Sequence, residues 1–178
     1  MNDLPITLLL GPSGVGKDYV VTLLTKHIRF LFMDIDIRHP FGHYGLRKEW
    51  NSFATELDPL PLAAALRARI TAATVTRVLL SFPSRRVLTR KHLEVAQTVG
   101  IHAVLLWGPI ELCRKAALGR DDGRVISGSR YDDANKLAFK TYSSSEFDAI
   151  RIEVFRADGS RYPDEDLLNS IRRLIDAE

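Results

Sequence analysis

Residues 11–18 read Gly11-Pro12-Ser13-Gly14-Val15-Gly16-Lys17-Asp18 and have the makings of a site for a phosphate chain. Gly11, the four residues after it, Gly16 and Lys17 fit the phosphate-binding loop pattern in all but its final letter. The glycines let the backbone curl until successive N–H groups point inward at phosphate oxygens. A helix that follows at once offers its positive N-terminal end to the same anion. Lys17 reaches the β- and γ-phosphates as a mobile point charge. Asp18 stands where the pattern wants a Ser or Thr hydroxyl on Mg²⁺. A carboxylate is also a hard oxygen ligand, which makes Asp18 a candidate for Mg²⁺, directly or through water.

Two further groups belong to the same chemistry. Asp34 and Asp36 end an apolar run, one residue apart, so they point in different directions. Asp34 suits either Mg²⁺ through water or the proton of an attacking hydroxyl, and Asp36 suits hydrogen bonds from substrate hydroxyls. A polar strand end that caps nearby loops is the competing structural account. Arg38, His39, His43, Arg47 and Lys48 then crowd one stretch, and Arg85 and Arg86 follow a later apolar run. As a group they fit an acceptor that carries a carboxylate or phosphate, with Asp36, Arg38, His39, Arg47 and Arg85 as its candidate contacts. Ser81-Phe82-Pro83-Ser84, just before Arg85, contains no acid for a metal. The stretch 119–130 combines Gly119, Gly123 and Gly128 with Arg120, Arg124 and Arg130. Such a loop suits a lid that closes over phosphates, excludes water and brings guanidinium charge to the transition state. A surface loop without that role is the alternative.

Strands and helices that hold these residues can be read in chain order. Residues 6–10 are continuously apolar, the mark of a strand buried on both faces. Val20, Leu23, Leu24, His27 and Ile28 recur at helical spacing, which predicts a helix over 17–30 with His27 on its apolar face. Strands follow at 30–34, 78–82 and 102–107, and an alternating one at 150–155. Helices are predicted at 60–75, 88–99, from Pro109 onward, at 131–142 and from Pro163 to the end. Strands alternating with helices imply one α/β domain over residues 1–178, a parallel sheet of about five strands with helices on both faces. In such sheets ligands collect at the carboxyl ends of the strands, where the glycine loop and Asp34 both fall.

With 178 residues, 46% hydrophobic and 26% charged, the chain is long enough for a real core and ordinary for a soluble globular protein. A net charge of +3 without a long Lys/Arg cluster favours small anions and argues against nucleic acid. Cys113 is the one cysteine, so no internal disulfide or CxxC metal site forms, in keeping with a reducing cytoplasm. Residues 6–10 are too short for a signal peptide or membrane span, and a soluble cytoplasmic protein, monomer or homodimer, is expected.

Taken together the motifs resemble the small P-loop kinases of the nucleoside-monophosphate kinase fold, over essentially the whole chain. Within that group the chain is most similar to the shikimate and gluconate kinase branch. Asp34-x-Asp36 resembles the shikimate kinase motif after the second strand, and Asp36-x-x-His39-Pro40 that of gluconate kinases. Gly119-Arg120 is similar to the start of the adenylate kinase lid, where that arginine covers adenine and phosphates. Ala157-Asp158-Gly159-Ser160 resembles the loop that lies against the adenine. The resemblance implies the three-layer P-loop NTPase fold, sheet order 2-3-1-4-5 and a short lid near 119–130. It implies ATP and Mg²⁺ as cofactors, with ATP on residues 11–18, Arg120, Asp158 and Gly159. It implies transfer of the γ-phosphate to a hydroxyl or phosphate of a small anionic metabolite bound within about 36–75, with Lys17, Asp34 and Arg120 catalytic. The sequence departs from the branch at Asp18, though phosphomevalonate kinases and some phage deoxynucleotide kinases also carry Gly-Lys-Asp, and it lacks the three glycines of shikimate kinases after the third strand. A nucleoside-monophosphate kinase and a non-catalytic nucleotide-binding protein are the alternative functions.

Overall fold

The computed structural model describes residues 5–34, 46–70, 75, 77–81, 87–119 and 128–175. Five parallel strands form one sheet in the order β2-β3-β1-β4-β5. They are β1 (Ile6–Leu10), β2 (Phe30–Asp34), β3 (Arg77–Ser81), β4 (Ile101–Trp107) and β5 (Arg151–Glu153). The helices are α1 (Lys17–Leu24), α2 (Arg47–Glu56), α3 (Leu60–Ile70), α4 (Arg90–Gln97), α5 (Ile110–Leu118), α6 (Gly128–Tyr142) and α7 (Asp164–Ile175).

Successive strand residues point to opposite faces, and each face carries its own core. Ile6, Leu8, Leu10, Val78, Leu80 and Leu105 pack with Leu46, Trp50 and Phe53 at α2, Leu62 and Leu66 of α3, and Leu93 of α4. Leu9, Leu79, Val104 and Leu106 pack with Val20 and Leu24 of α1, Cys113 of α5, and Leu168, Ile171 and Ile175 of α7. Because β1 is the middle strand and is covered on both sides, all five of its residues are buried. β5 is the edge strand, so only Ile152 of its three residues is buried and the expected alternation appears there.

Several boundaries differ from the sequence expectation. α1 stops at Leu24 rather than running to 30, because the amides of Lys26 and His27 turn back to Leu23 and Leu24 and tighten the chain into β2. His27 therefore lies past the helix and is exposed, not part of an apolar face. The polar segment that was grouped with the basic stretch from Arg47 onward is the helix α2. Strand pairing at 150–155 shrinks to Arg151–Glu153, preceded by a 3₁₀ turn over Ser145–Ile150. α6 begins at Gly128, so the last residues of the expected 119–130 loop are helical. Among the described residues no helix is long and apolar enough to cross a membrane.

Candidate nucleotide and acceptor site

The loop of residues 11–18 leaves the carboxyl end of β1 and enters α1 at Lys17. Gly14 and Gly16 adopt φ of +82° and +104°, a region that glycine enters without the penalty of a Cβ. Space demands them as well. A Cβ on Gly14 would run into the Cys113 carbonyl and lie 2.9 Å from the Ala117 side chain of α5. Gly11 is hemmed in by the Leu106 carbonyl of β4 in the same way. The loop is thus wedged between the sheet and α5, with Val15 fully buried as its anchor. Pro12 accepts a hydrogen bond from the Val15 amide at 3.4 Å, which closes the curl.

Lys17 Nζ donates to the carbonyl oxygens of Gly11 at 2.8 Å and Pro12 at 3.1 Å. The ammonium therefore sits across the loop, where an anion entering the cradle meets it. Asp18, one position on, is exposed in the first turn of α1.

α6 holds the loop from outside. Asn135 Oδ1 accepts the Ser13 amide at 2.8 Å, and the Tyr131 hydroxyl donates to the Ser13 carbonyl at 3.0 Å. The Asn135 Nδ2 group donates to the Tyr131 carbonyl at 2.9 Å, which fixes the amide's orientation. Both side chains are buried, and burial pushes the Tyr131 phenol well above its ordinary pKa, so it stays a donor. Neither residue was anticipated from the sequence. Their four-residue spacing, continued by Ala138 and Tyr142, puts a polar pair on the buried face of a helix. A buried asparagine there is the signal that marks it. Asn135→Ala strands the Ser13 amide and is expected to lower stability by at least about 1 kcal/mol. Tyr131→Phe should cost less, since the Ser13 carbonyl keeps a second lone pair for water. Urea unfolding checks both, and an unchanged midpoint for Asn135→Ala would show that the clamp carries no strain.

Asp34 ends β2, buried, opposite Ser81, and Ser81 in turn pairs with Leu9. Two strand spacings separate it from β1, roughly 10 Å. It stands on the same sheet end as the glycine loop. Asp36, Arg38, His39, Arg85, Arg120 and Arg124 fall outside the described residues, as does the side chain of Arg47, which opens α2. Arg130 is exposed in the first turn of α6. α2 is held to the core by Trp50 and Phe53, whose rings meet edge to face at 5.5 Å. His92 bridges it to α4: Nδ1 accepts from the Thr89 amide at 3.2 Å, which leaves Nε2–H to donate to the Ala54 carbonyl at 3.2 Å.

The chain 156–160 forms a tight turn beside α5. Asp158 accepts from the amide and hydroxyl of Ser160 at 2.8 and 2.6 Å, contacts that hold its carboxyl below the usual range. Gly159, at φ +82°, approaches Leu112 of α5. Phe155 and Arg161 pair across the turn as an isolated antiparallel bridge. Cys113, beneath the loop, is fully buried, and desolvation pushes its thiol up to about 11.

No protein-family model and no curated protein matches the chain. Solved structures do match it along nearly its full length. A gluconokinase from Sinorhizobium meliloti 1021 is 18% identical with a TM-score of 0.55, covering 99% of this chain and 97% of its own. A sugar kinase from Janibacter sp. HTCC2649 is also 18% identical with a TM-score of 0.55, covering 97% and 94%. A shikimate kinase from Acinetobacter baumannii, solved with shikimate, is 21% identical with a TM-score of 0.51, covering 98% and 94%. At these identities the likeness establishes the fold, that of the P-loop small-molecule kinases.

Proposed function

We propose that the chain is an ATP-dependent phosphotransferase that moves the γ-phosphate to a hydroxyl or phosphate of a small anionic metabolite. The observation that carries this reading is Lys17, whose Nζ lies 2.8 and 3.1 Å from the Gly11 and Pro12 carbonyls at the mouth of a glycine cradle. Incoming phosphate oxygens would displace those carbonyls and gain a charge-assisted bond. The amides of residues 14–17 are assigned to the phosphate oxygens, with Val15 giving up its long 3.4 Å contact to Pro12, and α1 supplies the positive end of its dipole. The names of the neighbours, gluconokinase and shikimate kinase, support a hydroxylated acid as the acceptor class. Asp34, half a sheet away at the same end, is assigned to orient the acceptor hydroxyl and take its proton. Asp36, Arg38, His39, Arg47 and Arg85 are assigned to hold the acceptor. Arg120, with Arg124 and Arg130, is assigned to screen charge on the transferring phosphate; Asp158 and Gly159 are assigned to the turn beside the nucleoside.

Asp18 and Asp34 fit Mg²⁺ in the chemistry of their donors, hard carboxylate oxygens near the phosphate end of the site. Among the described residues no three His, Cys, Asp or Glu groups gather as a closed metal cage. Held there by Asp18 and Asp34, Mg²⁺ would neutralise charge on the phosphates during transfer. Asp18→Ala is then expected to raise the Mg²⁺ concentration for half-maximal rate by about tenfold, the scale of one lost charged ligand contact. Asp18→Thr should keep most activity. An unchanged Mg²⁺ requirement in Asp18→Ala would make this residue a bystander.

The function is tested by a thermal-shift screen of candidate acceptors with a non-hydrolysable ATP analogue. Ligand at a hundred times Kd stabilises a protein by about 2.7 kcal/mol, which is readily seen. An acceptor that shifts the midpoint and is then phosphorylated by ATP bears the reading out. Nucleotide binding with no turnover on any bound acceptor would favour a nucleotide-sensing protein instead, a role consistent with Asp18 in the hydroxyl position.

A further inference from the structure

Arg161 comes back beside the phosphate loop on the far arm of the 156–160 turn. A Cβ on Gly16 would collide with its Nη1 and would lie 3.0 Å from Nη2 and 3.1 Å from Cζ. Its guanidinium therefore rests against the last residue before α1. The same group stacks on the Tyr19 ring at 4.7 Å and the Phe155 ring at 5.3 Å. Nη1 is shut off from solvent and has no hydrogen-bond partner among the described residues. The hydroxyl of that Tyr19 ring donates to the Asp164 carboxylate.

This placement calls for an explanation. A guanidinium cannot shed its proton to escape burial. Aromatic faces attract the cation but accept no N–H hydrogen bonds of ordinary strength. The N-terminus of α1 adds positive potential at the same spot rather than relieving it. Burial raises the Cys113 thiol beneath the loop, and the charges of Lys17 and Arg161 both oppose that rise. A charged N–H shut off from water without a partner is costly, and an anion from outside the chain would balance it.

We propose that Arg161 is a second cation of the nucleotide site and binds the inner end of the phosphate chain, the part nearest the nucleoside. Lys17 Nζ lies at the Gly11 and Pro12 carbonyls, whereas Arg161 lies at Gly16 and Tyr19, next to the 156–160 turn assigned above to the nucleoside side. The two cations divide the chain of phosphates between them. This assignment rests on the phosphate-loop reading of residues 11–18 and adds a recognition element that the loop pattern does not contain.

Titration calorimetry with ADP and with inorganic pyrophosphate tests it on the whole chain. Arg161→Met keeps the packing against both rings and removes the charge. ADP affinity is expected to fall by about tenfold or more, the scale of a charged hydrogen bond, while pyrophosphate, held by the loop and Lys17, changes less than about threefold. Arg161→Gln should match Met, and Arg161→Lys should recover part of the ADP affinity, because charge rather than bulk is the requirement. The unliganded midpoint of Arg161→Met should be unchanged or higher, since an unpaired charge has been removed. Unaltered ADP affinity in Arg161→Met and Arg161→Gln would overturn the proposal and leave the loop reading intact. Equal losses for ADP and pyrophosphate would overturn the inner-end assignment. Failure of the unaltered protein to bind either probe would overturn the loop reading, and the proposal with it.

Discussion

Lys17→Ala is expected to lower phosphoryl transfer from ATP by at least about 10²-fold, the scale of losing one preorganised charged donor on the reacting group. The side chain is half-exposed at the first position of α1 and donates to the Gly11 and Pro12 carbonyls of the loop. Truncation should therefore leave the unfolding midpoint almost unchanged. Charge on the transferring phosphate is redistributed in the transition state, so the loss should fall on kcat as well as on nucleotide affinity. Lys17→Arg should rescue poorly, because a planar fork cannot take the place of a compact ammonium over two carbonyls. Transfer within a few-fold of the unaltered protein would remove Lys17 from the site.

Gly14→Ala should act through the backbone instead. The added methyl would sit at φ +82° and press on the Cys113 carbonyl and Ala117, groups on a helix that cannot swing away. Left-handed strain and overpacking together predict a loss of roughly 2–4 kcal/mol. The same shift pulls the amides of Val15 and Gly16 off their aim, so nucleotide binding should fall further than stability does. Chemical denaturation gives the first quantity and calorimetry the second. A variant of normal stability would mean that α5 does not press on the loop as described.

What the sequence made readable and what it hid follow from distance along the chain. β1 and its loop were evident because five buried residues run straight into three glycines, all within local reach. The order β2-β3-β1-β4-β5, expected from the family resemblance, is the order observed. α2 was missed because RKEWNSFATE shows a single apolar pair, Trp50 and Phe53, and no punctuation. Its C-cap is Leu57 at φ +60°, where a glycine would have announced the end, and Leu46 offers no capping side chain. The site's supports were invisible for another reason. Tyr131, Asn135 and Arg161 reach the loop across more than a hundred residues, and no periodicity links them to it. Only the fold brings them there.

The central claim is that the amides of residues 14–17 hold the phosphates of a nucleotide. Backbone amide NMR of the isotope-labelled protein, titrated with Mg-ATP, addresses those groups one by one. The account predicts that the largest shifts fall on Gly14, Val15, Gly16 and Lys17, and that Lys17→Ala sharply weakens the titration. Absence of any shift, or shifts confined to residues remote from the loop, would contradict it.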